Sequence, residues 1–156
     1  MMDELVLRLV LADDDDDDCL FFKDALTRLP VATRLTRVED GEHLMQLLTS
    51  SSAPLPFAIF LDLNMPRKNG HECLAELKKH QRLQQVPVVV LSTSSEPGVI
   101  DQLFRAGAAH YIAKPSDFFQ LTSVIQQALD RLATGAQTAP ERQQFVIEPL
   151  VTARPV

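Results

Sequence analysis

The chain has 156 residues, 46% of them hydrophobic, with 21 acidic against 15 basic side chains and a formal charge of -6. That is enough for one well-filled core and too few for two ordinary domains; the apolar content excludes disorder over most of the length, and the acidic balance without a Lys/Arg cluster argues against DNA or any other nucleic acid as partner. Two cysteines without metal-ligand spacing, an acidic start and no apolar run of the about 20 residues that a membrane span needs imply a soluble protein of a reducing, cytoplasmic compartment with no membrane partner.

Leu5 to Ala12 is short, apolar and bounded by acids, which predicts a strand. Six aspartates follow, Asp13 to Asp18. A solvated acidic stretch is the bland reading, but six like charges directly after a buried strand repel one another. A cation at the first of them and a helix N-terminus accepting the later ones are the available compensation. Cys19, Phe22, Leu26 and Leu29 keep helical spacing until Pro30. Thr33 to Val38 is β-branched and partly polar, as in an edge strand, and Asp40 with Gly41 turns the chain into a short helix carrying Leu44, Leu47 and Leu48.

Phe57 to Gly70 is the centre of the chain. Its apolar run reads as a buried strand presenting Asp62 at the C-terminal end, where open α/β sheets place their sites. Asn64, Met65 and Pro66 form a loop that stops the strand. Asn69 and Gly70 then turn into a helix marked by Cys73, Leu74 and Leu77. Val86 to Leu91 is nearly continuous β-branched hydrophobe, the mark of a central parallel strand, and it ends in the hydroxyls of Ser92, Thr93, Ser94 and Ser95. Val99, Ile100, Leu103 and Phe104 predict a helix over 96–106, with Gly107 at its C-cap. His110 to Ala113 is the last strand and delivers Lys114 and Pro115. Ser116 and Asp117 cap a final helix through Phe118, Leu121, Ile125, Ala128, Leu129 and Leu132.

Strands and helices thus alternate five times, which predicts a doubly wound α/β domain with a five-stranded parallel sheet and helices on both faces. The domain is expected over 1–134. Residues 135–156 form a polar C-terminal tail whose Phe145, Val146 and Ile147 either stay loose or pack as an arm on the domain or on a partner.

Four strand ends carry polar cargo to one sheet edge: Asp13 and Asp14, Asp62, Ser92 and Thr93, and Lys114. Three carboxylates around one point repel, and a hard divalent cation such as Mg²⁺ resolves that. A lysine and a hydroxyl beside them suit a phosphoryl group moving to or from Asp62. A structural salt-bridge network explains one Asp–Lys pair more easily than four converging loops.

On these motifs the chain resembles the response-regulator receiver domains, from about residue 5 to about residue 133. The acidic pair after the first strand, the DLNMPxxNG block around Asp62, the LST hydroxyl loop and the segment around Tyr111, Lys114 and Pro115 stand in the family's order. The resemblance implies the flavodoxin-like receiver fold and a phosphoacceptor, not an enzyme, in which Asp62 takes a phosphoryl group from a sensor histidine kinase or a histidine phosphotransferase protein. It further implies that Asp14, Asp62 and the Asn64 carbonyl ligate Mg²⁺ and that Asp13 holds it through water. Lys114 contacts the phosphoryl group or Asp62, and Tyr111 is an aromatic rotamer switch. Ser92 rather than Thr93 is the switch hydroxyl, since it directly follows the apolar strand and lies the family's 22 residues before Lys114. The acidic start and the absence of room for an effector domain look most like the stand-alone receivers that serve phytochromes.

The signal is therefore expected to leave through a protein-binding surface to a downstream protein target, with a homodimer as a further expectation and Phe104, Tyr111 and Phe119 as candidates for partial exposure. Haloacid-dehalogenase-like phosphatases also use a strand-end aspartate, but Asn64 stands where they need an acid. A phosphorylation-independent receiver-fold adaptor is the alternative reading, against which the full set of charged residues argues.

Overall fold

A computed structural model describes residues 5–50, 54–65, 68–94, 96–135 and 141–149. Pro66 and Ser95 of the expected loops, and part of the expected tail, lie outside these. The strands are β1 (Val6–Ala12), β2 (Ala32–Val38), β3 (Ala58–Asp62), β4 (Val88–Ser92), β5 (His110–Ala113) and β6 (Val146–Ile147). The helices are α1 (Asp16–Thr27), α2 (Gly41–Thr49), α3 (Gly70–Lys79), α4 (Pro97–Arg105), α5 (Phe118–Gly135) and α6 (Arg142–Phe145).

All strand pairs are parallel and run in the order β2-β1-β3-β4-β5-β6. β3 and β4 are buried along their whole length, which is why their sequences are continuous hydrophobe, whereas β2 at one edge is partly exposed and mixes threonine and arginine with apolar residues. Alternate side chains of β3 divide the core. Ile59 and Leu61 join Leu44, Leu74, Leu77 and Leu103 on the side of α2, α3 and α4, while Ala58 and Phe60 join Phe22, Leu26, Val124 and Ile125 on the side of α1 and α5. The Phe22 and Phe60 rings meet edge to face at 5.0 Å. Among the described residues no helix is long and apolar enough to cross a membrane.

Among the described residues the sheet has six strands, which corrects the expected five. Val146 pairs with Tyr111 and Ile147 with Ile112, so the tail's apolar patch extends the sheet beyond β5. Phe145 is fully buried and meets Phe104 edge to face at 5.2 Å. The segment is tied at its ends as well: Arg142 pairs with Asp101 of α4 at 2.7 Å, Arg131 Nη1 donates to the Gln144 carbonyl at 2.9 Å, and Gln127 Nε2 donates to the Glu148 carbonyl at 2.8 Å. A strand of two residues has no period to read, which is why only its composition was visible. Tyr111 also departs from expectation. It is fully buried, and Phe104 is half-buried, while Phe119 is 77% exposed.

Gly107 has φ +96°, a left-handed conformation natural to glycine, and follows the last residue of α4 by two positions as a helix stop should.

Candidate functional site

The site lies at the C-terminal ends of the strands, beside the point where β1 pairs with both β2 and β3 and the strand order reverses. Asp62 is the last residue of β3 and Ser92 the last of β4; Asp13 directly follows β1 and Lys114 directly follows β5. The backbone sets each of them. Asp13 N–H donates to the Val38 carbonyl at 3.1 Å, and Arg37 Nε donates to the Asp13 carbonyl at 3.1 Å. Lys114 N–H donates to the Ser92 carbonyl at 2.8 Å, so the lysine and the hydroxyl share one anchor. Beneath Asp62 the chain returns closely: a Cβ on Gly70 would lie 2.7 Å from Leu63 Cα and 2.8 Å from the Asp62 carbonyl oxygen. Asn69, next to it, caps α3 by accepting from Glu72 N–H, and the Glu72 carboxylate accepts from Asn69 N–H in return.

One carboxylate oxygen from each of Asp13, Asp14 and Asp62 lies within 4.8 Å of the others. Asp13 and Asp62 are buried, and Asp14 is exposed. The expected trio is thus one cluster. Its all-oxygen, strongly anionic donor set fits a hard divalent cation such as Mg²⁺ or Mn²⁺. Burial, and then the charge of Asp13, push the Asp62 carboxyl up to about 6, against the opposing pull of Lys114 and the Asn64 N–H. That N–H donates to Asp62 Oδ1 at 3.3 Å.

The Lys114 ammonium stands among three carboxylates, 2.9 Å from Asp18 Oδ2, 3.2 Å from Asp13 Oδ2 and 3.4 Å from Asp62 Oδ1. Burial works against its charge, but the hydrogen bond to Asp18 and the charges of Asp13 and Asp62 outweigh it, and its pKa is raised. The sequence places Asp18 among the later acids accepted by a helix N-terminus, and the structure adds a salt bridge to Lys114. Its helical position, four residues before the buried Phe22, was the signal that it faces this end of the sheet.

The aspartate run is compensated more widely than a cation and a helix end would do. Asp15 caps α1, accepting from Asp18 N–H at 3.0 Å, and Arg37 from the neighbouring strand pairs with Asp16 at 2.7 Å. Ser92 is buried and its Oγ accepts from Ser94 N–H at 3.1 Å, whereas Thr93 is exposed. The Tyr111 hydroxyl donates to the Ser94 carbonyl. Ser94 therefore joins the Ser92 hydroxyl to Tyr111 through its backbone, a link invisible in sequence because any residue can supply it.

The chain matches the family described as response regulator receiver domain over residues 9–126. It is similar to the probable methanogenesis regulatory protein FilR2 of Methanothrix harundinacea (strain 6Ac), 31% identical over 125 residues that cover 76% of this chain and 79% of that protein. Among solved structures it is similar to the phosphorylated cyanobacterial phytochrome response regulator RcpA, with 31% identity and TM-score 0.74 over 88% of this chain and 100% of the other. It is also similar to the Mn²⁺-bound form of response regulator Rcp1, with 27% identity and TM-score 0.72 over 86% of this chain and 99% of the other. By the strand-end carboxylates, the parallel sheet that carries them and these likenesses, the chain belongs to the response-regulator receiver family, signalling phosphoacceptors of two-component systems that work with histidine-kinase or histidine-phosphotransfer partners.

Proposed function

We propose that Asp62 is the phosphoacceptor, with Lys114 and Ser92 assisting transfer, and that Mg²⁺ is held by Asp13, Asp14, Asp62 and the Asn64 carbonyl, Asp13 acting through water. The observation that carries this reading is the meeting at Asp62 of the three-carboxylate cluster and the Lys114 ammonium, 3.4 Å from Oδ1. An Asp62 oxygen attacks the phosphorus of a phosphohistidine. The O–P bond forms as the P–N bond breaks, and the imidazole leaves with the electron pair and is protonated from solvent. A bound divalent cation supplies neutralising charge to the phosphoryl oxygens. Lys114 adds a positive charge on the side of Asp13 and Asp18, and the Ser92 hydroxyl turns from Ser94 to donate to the new acceptor.

Phosphorylation adds about two negative charges and strong acceptor oxygens. Drawing Ser92 inward strains its bond with Ser94, and the Ser94 carbonyl in turn holds Tyr111. Tyr111 acts as the switch residue, passing the change to α4 and the arm packed beside it. The docking surface for the phosphodonor is the side made by the packed helices α1 and α5, on which Leu20 and Phe21 of α1 and Phe119 of α5 are each exposed. The output goes to a downstream protein target through the face of α4 and α5 together with the α6–β6 arm that lies over β5 between them, and the two free, buried cysteines support a cytoplasmic setting. Homodimerisation through that face belongs to the same proposal. Sedimentation with and without a beryllofluoride mimic is expected to show a dimer in at least one state; monomer in both restricts the face to other proteins.

Incubation with acetyl phosphate and Mg²⁺ tests the acceptor. The expected product is an acid-stable, base-labile acyl phosphate that Asp62→Asn abolishes, and equal labelling of that variant refutes the assignment.

A further inference from the structure

The ammonium of Lys114 has three N–H donors and three carboxylates in reach, and the closest of these is not the proposed nucleophile. Asp18 Oδ2 lies at 2.9 Å, against 3.4 Å for Asp62 Oδ1. Asp18 differs from the other two partners in kind. Asp13 and Asp62 belong to the converging trio, whereas Asp18 sits on the first turn of α1, outside it, with its backbone N–H fixed to the Asp15 carboxylate. The Asp18 side chain is 41% exposed and that of Lys114 18%. A small cavity of about 50 Å³ opens beside the ammonium, lined by Asp13, Asp18, Phe21, Phe22 and Pro115 among others. Asp62 does not line that cavity, so the lysine has a berth, and free space beside it, on the side away from Asp62.

We propose that Asp18 is a positioning residue that competes with the reacting or phosphorylated Asp62 for Lys114, and so restrains phosphorylation. This inference rests on Asp62 being the acceptor. A phosphoryl group on Asp62 needs the ammonium as a counter-charge, and each approach toward it lengthens the bond to Asp18. A charged acceptor holds an ammonium more firmly than a neutral one of the same shape, so Asp18→Asn keeps the fit and weakens the hold. Asp18→Glu retains the charge and serves as the conservative variant.

The test follows acyl-phosphate formation from acetyl phosphate with saturating Mg²⁺ in the full chain. Asp18→Asn is expected to react about three- to fivefold faster, the worth of a partly exposed ion pair, while Asp18→Glu stays near the parent rate. In a Lys114→Met background, Asp18→Asn is expected to give no gain. Affinity for beryllofluoride, measured in the same five chains, supplies the second readout where labelling of Lys114→Met is too slow to follow. An unchanged or slower Asp18→Asn overturns the proposal. So does an equal gain with Lys114→Met, which would mean simple relief of repulsion toward an anionic donor. Failure of the acceptor reading is distinguishable, because it appears as undiminished labelling of Asp62→Asn whatever Asp18 does.

Discussion

Asp13 and Asp14 are adjacent in sequence and opposite in setting. Both oxygens of Asp13 are engaged, Oδ1 by the Asp15 N–H at 2.9 Å and Oδ2 by Lys114 at 3.2 Å, while Asp14 is exposed. Asp14→Ala is therefore expected to weaken Mg²⁺ binding more than Asp13→Ala, as read by metal titration of the two variants, and the reverse order would mean that the register of the run is other than proposed. Gly70 makes a different kind of demand. An added Cβ meets backbone atoms of Asp62 and Leu63 that cannot swing aside, so Gly70→Ala is expected to cost about 1–3 kcal/mol in urea unfolding and to slow labelling by displacing Asp62. At this scale the trio of carboxylates and the Lys114 partner were legible, because a residue that ends a strand is carried to the sheet edge whatever its neighbours do. Asp18 was not. Its role depends on the rotation of α1 about its axis, which six identical residues in a row do not show and which only the apolar spacing further along, at Phe22, gives away.

The arm made by α6 and β6 is held by few but well-buried contacts. The Asp101–Arg142 pair is half exposed, so Arg142→Ala is expected to change stability by less than about 1 kcal/mol, apart from whatever its guanidinium contributes over the Phe104 and Phe145 rings, 6.0 Å away. Phe145→Ala removes a fully buried ring and leaves a cavity against Phe104, a change that costs about 3–5 kcal/mol in a rigid core. An arm can release instead of tolerating that loss. The expected signature is therefore local: hydrogen exchange at Val146 and Ile147 speeds markedly while β3 and β4 keep their protection. Uniform acceleration across the sheet would show that the arm is part of the global unit. The other elements were readable because five strands and five helices announce themselves by period and length. The arm lacks both, and its structure comes from the vacant edge of β5.

For the molecule as a whole, His110 links the arm to acidity. Its ring is buried, and Nδ1 donates to the Phe145 carbonyl at 3.2 Å. Burial lowers its pKa below the usual 6.5, Arg131 of α5 acts in the same sense, and the carbonyls of Phe145 and Gln144 oppose them. A lowered histidine binds fewer protons folded than unfolded, so the stability it contributes is full above about pH 6.5 and is lost as the pH falls toward its folded value. Asp62 slopes the other way between 3.8 and about 6, its contribution falling as the pH rises. Comparing the parent with His110→Asn cancels that term. Urea midpoints between about pH 5 and about pH 7.5 are expected to rise less steeply in the variant, and parallel curves would remove His110 from the account. The sixth strand has one more consequence, which concerns keeping molecules apart. Residues through α5 already supply β1 to β5 and every proposed site residue, so a chain ending at Gly135 keeps the chemistry and bares the hydrogen-bonding edge of a hydrophobic strand, with Tyr111 and Ile112 along it. Open edges template pairing with other chains. Such a chain is expected to scatter light at concentrations where the full one stays clear, so that two residues of strand act as a guard against unwanted pairing between chains.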